Sequence, residues 1–225
     1  MTERPGSRLA ARPLHFFIVA DCSGSMAADG KMQALNNAIR ETLPHLRDVA
    51  GQNPHAEVLV RSIAFSTGAR WHIERPTPVD ELEWTNLQSG GYTDLGAALD
   101  LLGSQLASGV IEERALPPAV LLVSDGMPTD DYKPALARFL DEPVGAHSVR
   151  MSVGIGRDAD LEVLERFAGG AGQAVLTANN PEQLVRMIRW ASTHASRVAS
   201  NLAPSAQVVA PLSLDDVSDP AELIW

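Results

Sequence analysis

Short apolar runs alternate with longer amphipathic segments along most of the chain, and this alternation is what most limits the fold. Residues 16–20 are continuously apolar and rich in aromatic and β-branched side chains, which is typical of a strand buried on both faces. Residues 31–49 then place apolar side chains at three- and four-residue steps, which predicts an amphipathic helix. Pro44 is expected to kink or shorten that helix.

The same alternation of strand-like and helix-like segments continues to residue 196. Further strands are predicted at residues 57–65, 69–73, 119–124, 147–154 and 173–177, and further helices at 94–106, 133–140, 161–168 and 181–196. Strands that alternate with helices favour parallel pairing and right-handed crossovers. The strands at 57–65 and 69–73 are too closely linked for a crossover and must pair antiparallel. We therefore expect a Rossmann-like, doubly wound α/β fold, with a mostly parallel central sheet, one antiparallel edge strand and helices on both faces.

Length and composition favour one domain with short extensions. The chain has 225 residues, of which 45% are hydrophobic and 20% charged, as in ordinary globular proteins. We assign residues 1–13 to an N-terminal extension and residues 14–198 to the domain. Residues 199–225 form an acidic C-terminal tail that is interrupted by prolines.

Charge and cysteine content exclude several classes of function. A net charge of −10 argues against a nucleic-acid partner, since phosphate attraction dominates that kind of binding. No segment approaches the about 20 apolar residues that span a membrane, and no signal-peptide core precedes Asp21, so we expect a cytoplasmic protein. The single cysteine, Cys22, excludes a zinc site built on several thiolates, and no HExxH motif is present.

Oxygen-bearing side chains cluster where the predicted buried strands end. Asp21, Ser23 and Ser25 follow the first strand at alternating positions, and Gly24 lets the backbone curl between them. Thr93 precedes a helix, and Asp125 follows the strand at 119–124. In open α/β sheets, ligands bind beyond the carboxyl ends of the strands. An all-oxygen set selects a hard divalent cation: Mg²⁺ is our first expectation, with Mn²⁺ or Ca²⁺ as alternatives.

Three sequence stretches resemble one known family. FFIVADCSGSM resembles the DxSxS motif of von Willebrand factor A domains, GGYTDLGAAL their threonine loop, and LLVSDGMPTD their second aspartate loop. In that family the three loops form the metal-ion-dependent adhesion site (MIDAS). The amino-acid sequences of these loops are most similar to those of TerY-like proteins, which are associated with tellurium-resistance and stress gene clusters.

The resemblance implies a role for each residue. Ser23 and Ser25 would bind the metal directly, Thr93 directly or through water, and Asp21 and Asp125 mainly through water. The implied function is a metal-dependent protein–protein interaction module in a cytoplasmic stress or tellurite-resistance system. Its partner would be a protein that supplies an Asp or Glu to the metal, with kinase and phosphatase components of the same system as candidates.

Two other functions compete with this hypothesis. A magnesium-dependent hydrolase or phosphoryl-transfer enzyme could use the same ion, but the sequence has no P-loop, kinase signature or GxSxG motif, so we predict no enzyme activity. A structural subunit with a dead site would have lost a ligand position, and none is lost.

Several residues near the motif have simpler explanations. The motif serines could cap the helix that begins near Lys31, and Thr93 or Asp94 could cap the helix after them. Cys22 is expected to be a packing residue, Asp130 and Asp131 a solvated helix start, and Trp84 and Tyr92 candidates for an aromatic rim. A further hypothesis is that Asp219 or Glu222 completes the metal site of a neighbouring copy.

Overall fold

The computed structural model describes residues 11–52, 56–107, 109, 111–169 and 175–200, with the backbone alone for 195–200. Residues 201–225, with Asp219 and Glu222, and residues 1–10 of the N-terminal extension lie outside the described residues, so that α6 takes in the first two residues of the predicted tail. A six-stranded sheet forms the centre. Its strands are β1 (Arg12–Asp21), β2 (Ala56–Ser66), β3 (Gly68–Pro78), β4 (Ala119–Ser124), β5 (Val149–Ile155) and β6 (Val175–Ala178).

The strand order is β3-β2-β1-β4-β5-β6. Every neighbouring pair is parallel except β2 and β3, which pair antiparallel at one edge. Only Thr67 separates those two strands, which leaves no room for a crossover. The predicted fold class is therefore confirmed, including the position of the antiparallel strand at an edge.

Helices cover both faces of the sheet. They are α1 (Lys31–Gly51), α2 (Leu95–Ala107), α3 (Tyr132–Asp141), α4 (Pro143–Ala146), α5 (Leu161–Ala168) and α6 (Pro181–Ser200), and a short 3₁₀ segment, Gly24–Gly30, precedes α1. None of the described helices is long and apolar enough to cross a membrane.

Alternation along the central strands divides the core between the two faces. On β1, Phe16 and Ile18 pack with α1 and α6, whereas Phe17 and Val19 pack with α2, α3 and α5. The side chains of β4 divide in the same way. Since both strands are covered on both sides, their sequences are continuously apolar.

Several elements differ from the sequence-based predictions, and β1 already begins at Arg12, within the residues assigned to the N-terminal extension. Helix α1 is not shortened at Pro44 but continues to Gly51, because Leu43 and Leu46 on either side of the proline are buried in the core. Strand β3 is longer than predicted: it lies at the sheet edge, where its polar residues obscured the pattern. Helix α4 was missed because one turn is too short to show periodicity.

Candidate metal centre

The candidate site lies where two neighbouring parallel strands end. Asp21 is the last residue of β1 and Ser124 the last of β4. These strands are adjacent and parallel, so their carboxyl ends lie side by side at one edge of the sheet. The loops that follow them therefore face each other.

Asp21 fastens these two loops together. Its carboxylate is buried: Oδ1 accepts a hydrogen bond from the Ser23 backbone N–H at 2.8 Å, and Oδ2 accepts one from Ser124 Oγ at 2.6 Å. Burial raises the pKa of Asp21 above its ordinary value, while the hydrogen bonds from Ser124 and Ser23 oppose that rise. The side chain thus acts as a brace between β1 and β4.

Three of the predicted ligands form a continuous chain of oxygens. Ser23 Oγ lies 2.9 Å from Ser25 Oγ, which in turn donates to Asp125 Oδ1 at 2.7 Å. Thr93 belongs to the same cluster, because a Cβ placed on Gly126 would lie 3.5 Å from Ser25 Oγ and 4.0 Å from Thr93 Oγ1. Ser23, Thr93 and Asp125 are buried, whereas Ser25 is exposed and marks the open side.

Backbone hydrogen bonds hold the threonine loop against the first loop. Gly24 N–H donates to Gly91 O at 3.0 Å, and Gly90 N–H donates to Cys22 O at 2.8 Å. Gly91 has a φ of +87°, and a Cβ there would lie only 2.5 Å from Thr67 Oγ1. Glycine is therefore required at this position for the threonine loop to pass close to the turn between β2 and β3.

Lys31 is a site residue that the sequence analysis missed. Its Nζ donates to Asp125 Oδ2 at 2.8 Å, and both side chains are buried. A lysine in the first turn of a helix is ordinarily solvated, and its pairing with a residue 94 positions away leaves no mark in the sequence. Lys31 brings a positive charge into a cluster that otherwise carries two carboxylates.

The donor set fits a hard divalent cation. Among the described residues, no group of three or more His, Cys, Asp or Glu side chains could hold a metal. A metal bound here would therefore depend on hydroxyl oxygens as well as carboxylates, and such a set favours Mg²⁺, Mn²⁺ or Ca²⁺ over softer ions. The structure brings all five predicted ligands together at the edge of the sheet where the parallel strands β1 and β4 end.

The capping predictions fared differently. The 3₁₀ segment that follows Ser23 has no side-chain cap, and Gly30 occupies the N-cap position of α1. The carboxylate of Asp94 bonds Gly68 N–H and Thr129 Oγ1 instead of its own helix. It is Asp130 that accepts from Gly96 N–H and Ala97 N–H, at 3.0 and 3.1 Å. The expected solvated helix start is therefore right for the exposed Asp131, which occupies the N-cap position of α3, and wrong for Asp130, whose carboxylate caps α2.

The two candidate rim aromatics also separate. Trp84 is buried and donates its Nε1–H to Asn36 Oδ1 at 3.0 Å, so its assignment to an exposed rim is wrong. Tyr92 is 66% exposed beside Thr93, and Met127 is 69% exposed two residues beyond Asp125. The exposed surface at the site therefore includes two large apolar side chains.

Cys22 is buried, as a packing residue should be, and burial raises the pKa of its thiol to about 12. The thiolate is the reactive form, so the native protein should hardly react with iodoacetamide at about pH 8. Mass spectrometry should find Cys22 unmodified in buffer and fully alkylated in urea. Rapid alkylation of the native protein would contradict the packing role.

Comparison with known proteins places the fold. The family model of the von Willebrand factor type A domain matches residues 16–189. No functionally curated protein matches the sequence. A von Willebrand factor type A protein from Catenulispora acidiphila is similar in structure, with a TM-score of 0.62 and 20% identity over 82% of this chain and 43% of that one.

Two further solved structures are similar. Proximal thread matrix protein 1 from the mussel byssus, with a zinc-occupied MIDAS motif, has a TM-score of 0.62 and 18% identity over 81% of this chain and 48% of that one. BatB from Bacteroides thetaiotaomicron has a TM-score of 0.60 and 15% identity over 82% of this chain and 99% of that one. The chain thus spans less than half of the first two proteins and nearly all of the third.

Proposed function

The chain belongs to the von Willebrand factor type A family, and from that premise we propose that it is a metal-dependent protein-interaction module. The metal would lie among Asp21, Ser23, Ser25, Thr93 and Asp125. The partner would be a protein that presents an aspartate or glutamate to the open side of the site. We propose that the protein has no catalytic activity.

The observation that carries this proposal is the oxygen chain from Ser23 through Ser25 to Asp125. Its links of 2.9 and 2.7 Å place hydroxyl and carboxylate oxygens close enough to converge on one small ion. Because Ser25 is exposed while Ser23 and Asp125 are buried, an ion held there would be open to solvent on one side. An open coordination position is what a partner's carboxylate needs.

Each residue has a definite task in this arrangement. A bound divalent ion supplies the positive charge that attracts the partner's carboxylate. Ser23 and Ser25 offer neutral oxygens, which leave more of that charge available than carboxylates would. Asp21 keeps the first loop in place through the Ser23 backbone and Ser124. None of the hydrogen bonds described for these residues involves a histidine that could act as a general base, which supports binding over hydrolysis.

The identity of the ion and the biological setting rest on resemblance. A zinc-occupied MIDAS motif in the mussel protein supports divalent-metal binding here. The all-oxygen set leads us to propose Mg²⁺ as the native ion. The resemblance of the three loop sequences to TerY-like proteins supports a role in a cytoplasmic stress or tellurite-resistance system, with kinase or phosphatase components as candidate partners.

Metal binding can be tested directly by calorimetric titration of Mg²⁺ and Mn²⁺ into the protein. Asp21→Asn preserves shape but removes the charge of the brace, so we expect it to weaken Mn²⁺ binding at least ~10-fold, or by about 1.4 kcal/mol. Ser104→Ala, an exposed hydroxyl on α2, should leave binding unchanged. A wild-type protein that binds neither ion at millimolar concentration would disprove the proposal.

The partner can be sought by pull-down from a lysate of the native host with tagged wild-type protein, in magnesium or in chelator. The Asp21→Asn variant in magnesium serves as the control. We expect a partner that the wild type retains only in magnesium. If the same proteins bind under all three conditions, the metal does not bridge them.

A further inference from the structure

We propose that Lys31 is a specificity-determining residue of this site. Its ammonium group holds one oxygen of Asp125 and sets the charge of the centre, so that the metal binds weakly by itself and favours an anionic partner group. This inference rests on the proposed function, because it concerns the same metal. It goes further in assigning the preference for a carboxylate to a residue outside the expected ligand set.

The ion pair is built into the protein interior. Lys31 Nζ lies 2.8 Å from Asp125 Oδ2, and the two side chains are 10% and 0% exposed. A Cβ on Gly156 would lie 3.4 Å from Lys31 Cε and 3.5 Å from Nζ, so the lysine passes close beside the end of β5. Bulk water therefore screens this pair far less than it would a surface pair.

The two oxygens of Asp125 are thereby given different partners. Oδ1 accepts from Ser25 within the oxygen chain, and Oδ2 accepts from Lys31. While the lysine holds Oδ2, Asp125 can turn only Oδ1 toward an ion among the serines. Removing the lysine would free a second anionic oxygen for the metal.

The charge of the centre follows from the same contacts. In the described hydrogen bonds of the five proposed ligands, Lys31 is the one cationic side chain. Two carboxylates and one ammonium leave one net negative charge, and a divalent ion changes this to one net positive charge. Without the ammonium the loaded site would be neutral. Lys31 thus both repels the incoming cation and leaves a loaded centre that attracts an anion.

The first test measures Mn²⁺ alone with Lys31→Met, which keeps the length and volume of the side chain. We expect Lys31→Met to bind Mn²⁺ at least ~10-fold more tightly than the wild type by calorimetry, because repulsion is lost and Asp125 Oδ2 is freed. Lys133→Met makes the same chemical change at an exposed lysine and should bind like the wild type. Lys31→Gln, which can still donate to Asp125 without a charge, should also bind more tightly and covers the case in which Lys31→Met does not fold.

The second test uses acetate as a carboxylate probe. Acetate that replaces water on protein-bound Mn²⁺ lowers its enhancement of water-proton relaxation. We expect the acetate concentration needed for half of this effect to rise at least ~10-fold in Lys31→Met. Acetate binding would thus weaken in the variant while Mn²⁺ binding tightens. Lys133→Met should match the wild type.

The outcomes separate this inference from the proposed function. If neither the wild type nor the Lys31 variants bind Mn²⁺, the proposed function fails and the inference fails with it. If the wild type binds, and folded Lys31→Met and Lys31→Gln bind equally or more weakly, only the role of Lys31 is overturned. Tighter Mn²⁺ binding with unchanged acetate binding would overturn the assigned preference for an anion.

Discussion

Asp125→Ala is expected to destabilise the metal-free protein by about 3 kcal/mol, a larger effect than most single substitutions have. The change leaves the Lys31 ammonium buried without its carboxylate and removes the acceptor of the Ser25 hydroxyl. A buried charge that loses its partner costs far more than a surface charge, because water cannot replace the lost contact. Urea unfolding in chelator, followed by circular dichroism, measures the loss.

A double-mutant cycle assigns this cost to the pair. In Lys31→Met/Asp125→Ala neither charge remains, so stability should recover by about 2 kcal/mol relative to Asp125→Ala alone. Metal binding should not recover, because the Asp125 oxygens are still missing. Wild-type stability for the single variant, or a coupling energy below about 0.5 kcal/mol, would show that the ion pair contributes little.

The general position of the site could be predicted from the sequence because it depends on strand order and direction. Continuous apolar runs identified β1 and β4, and parallel strands bring their carboxyl ends to one edge. Asp21, which immediately follows the apolar run of β1, and Asp125, which immediately follows β4, were therefore expected to meet. Thr93, which precedes a predicted helix, was expected beside them, and the structure places it within the same cluster.

The contacts that complete the site could not be predicted in this way. Lys31 and Asp125 are 94 positions apart, and Asp130 caps a helix whose first turn lies more than 30 positions before it. Periodicity reports which face of an element is buried, but not which polar group meets which across the fold. A polar residue within an amphipathic helix therefore resembles a solvated one until its partners are known.

Asn36 shows the same limit and supports the second large expected effect. It lies on α1 and is buried, and its amide makes four hydrogen bonds. Nδ2 donates to Met32 O at 2.9 Å and to Leu87 O at 3.1 Å. Oδ1 accepts from Leu87 N–H at 2.8 Å and from Trp84 Nε1–H at 3.0 Å. One side chain thus binds α1 to the segment that leads to the threonine loop.

Asn36→Leu, which keeps a similar volume, is expected to lower the free energy of unfolding by about 3 kcal/mol. Three buried polar groups of the loop, the Trp84 indole N–H and both backbone groups of Leu87, would lose their partners. Asn37→Leu is the matched control, since Asn37 is exposed and its side chain accepts only from Arg40 among the hydrogen bonds described for it. The control should change stability by less than about 0.5 kcal/mol, and an equal loss in both variants would contradict the role of Asn36.

The same variant tests whether this scaffold contact supports the site. Asn36 holds the segment that runs to Gly90 and Thr93, so Asn36→Leu should also weaken Mn²⁺ binding by several fold if the threonine loop depends on it. Faster amide hydrogen exchange at residues 84–93 should accompany that change. Reduced stability with unchanged Mn²⁺ affinity would instead mean that the backbone bonds from Gly24 and Gly90 hold the loop by themselves. The position of Thr93 would then depend on the contacts between the loops of the site and not on the contact with α1.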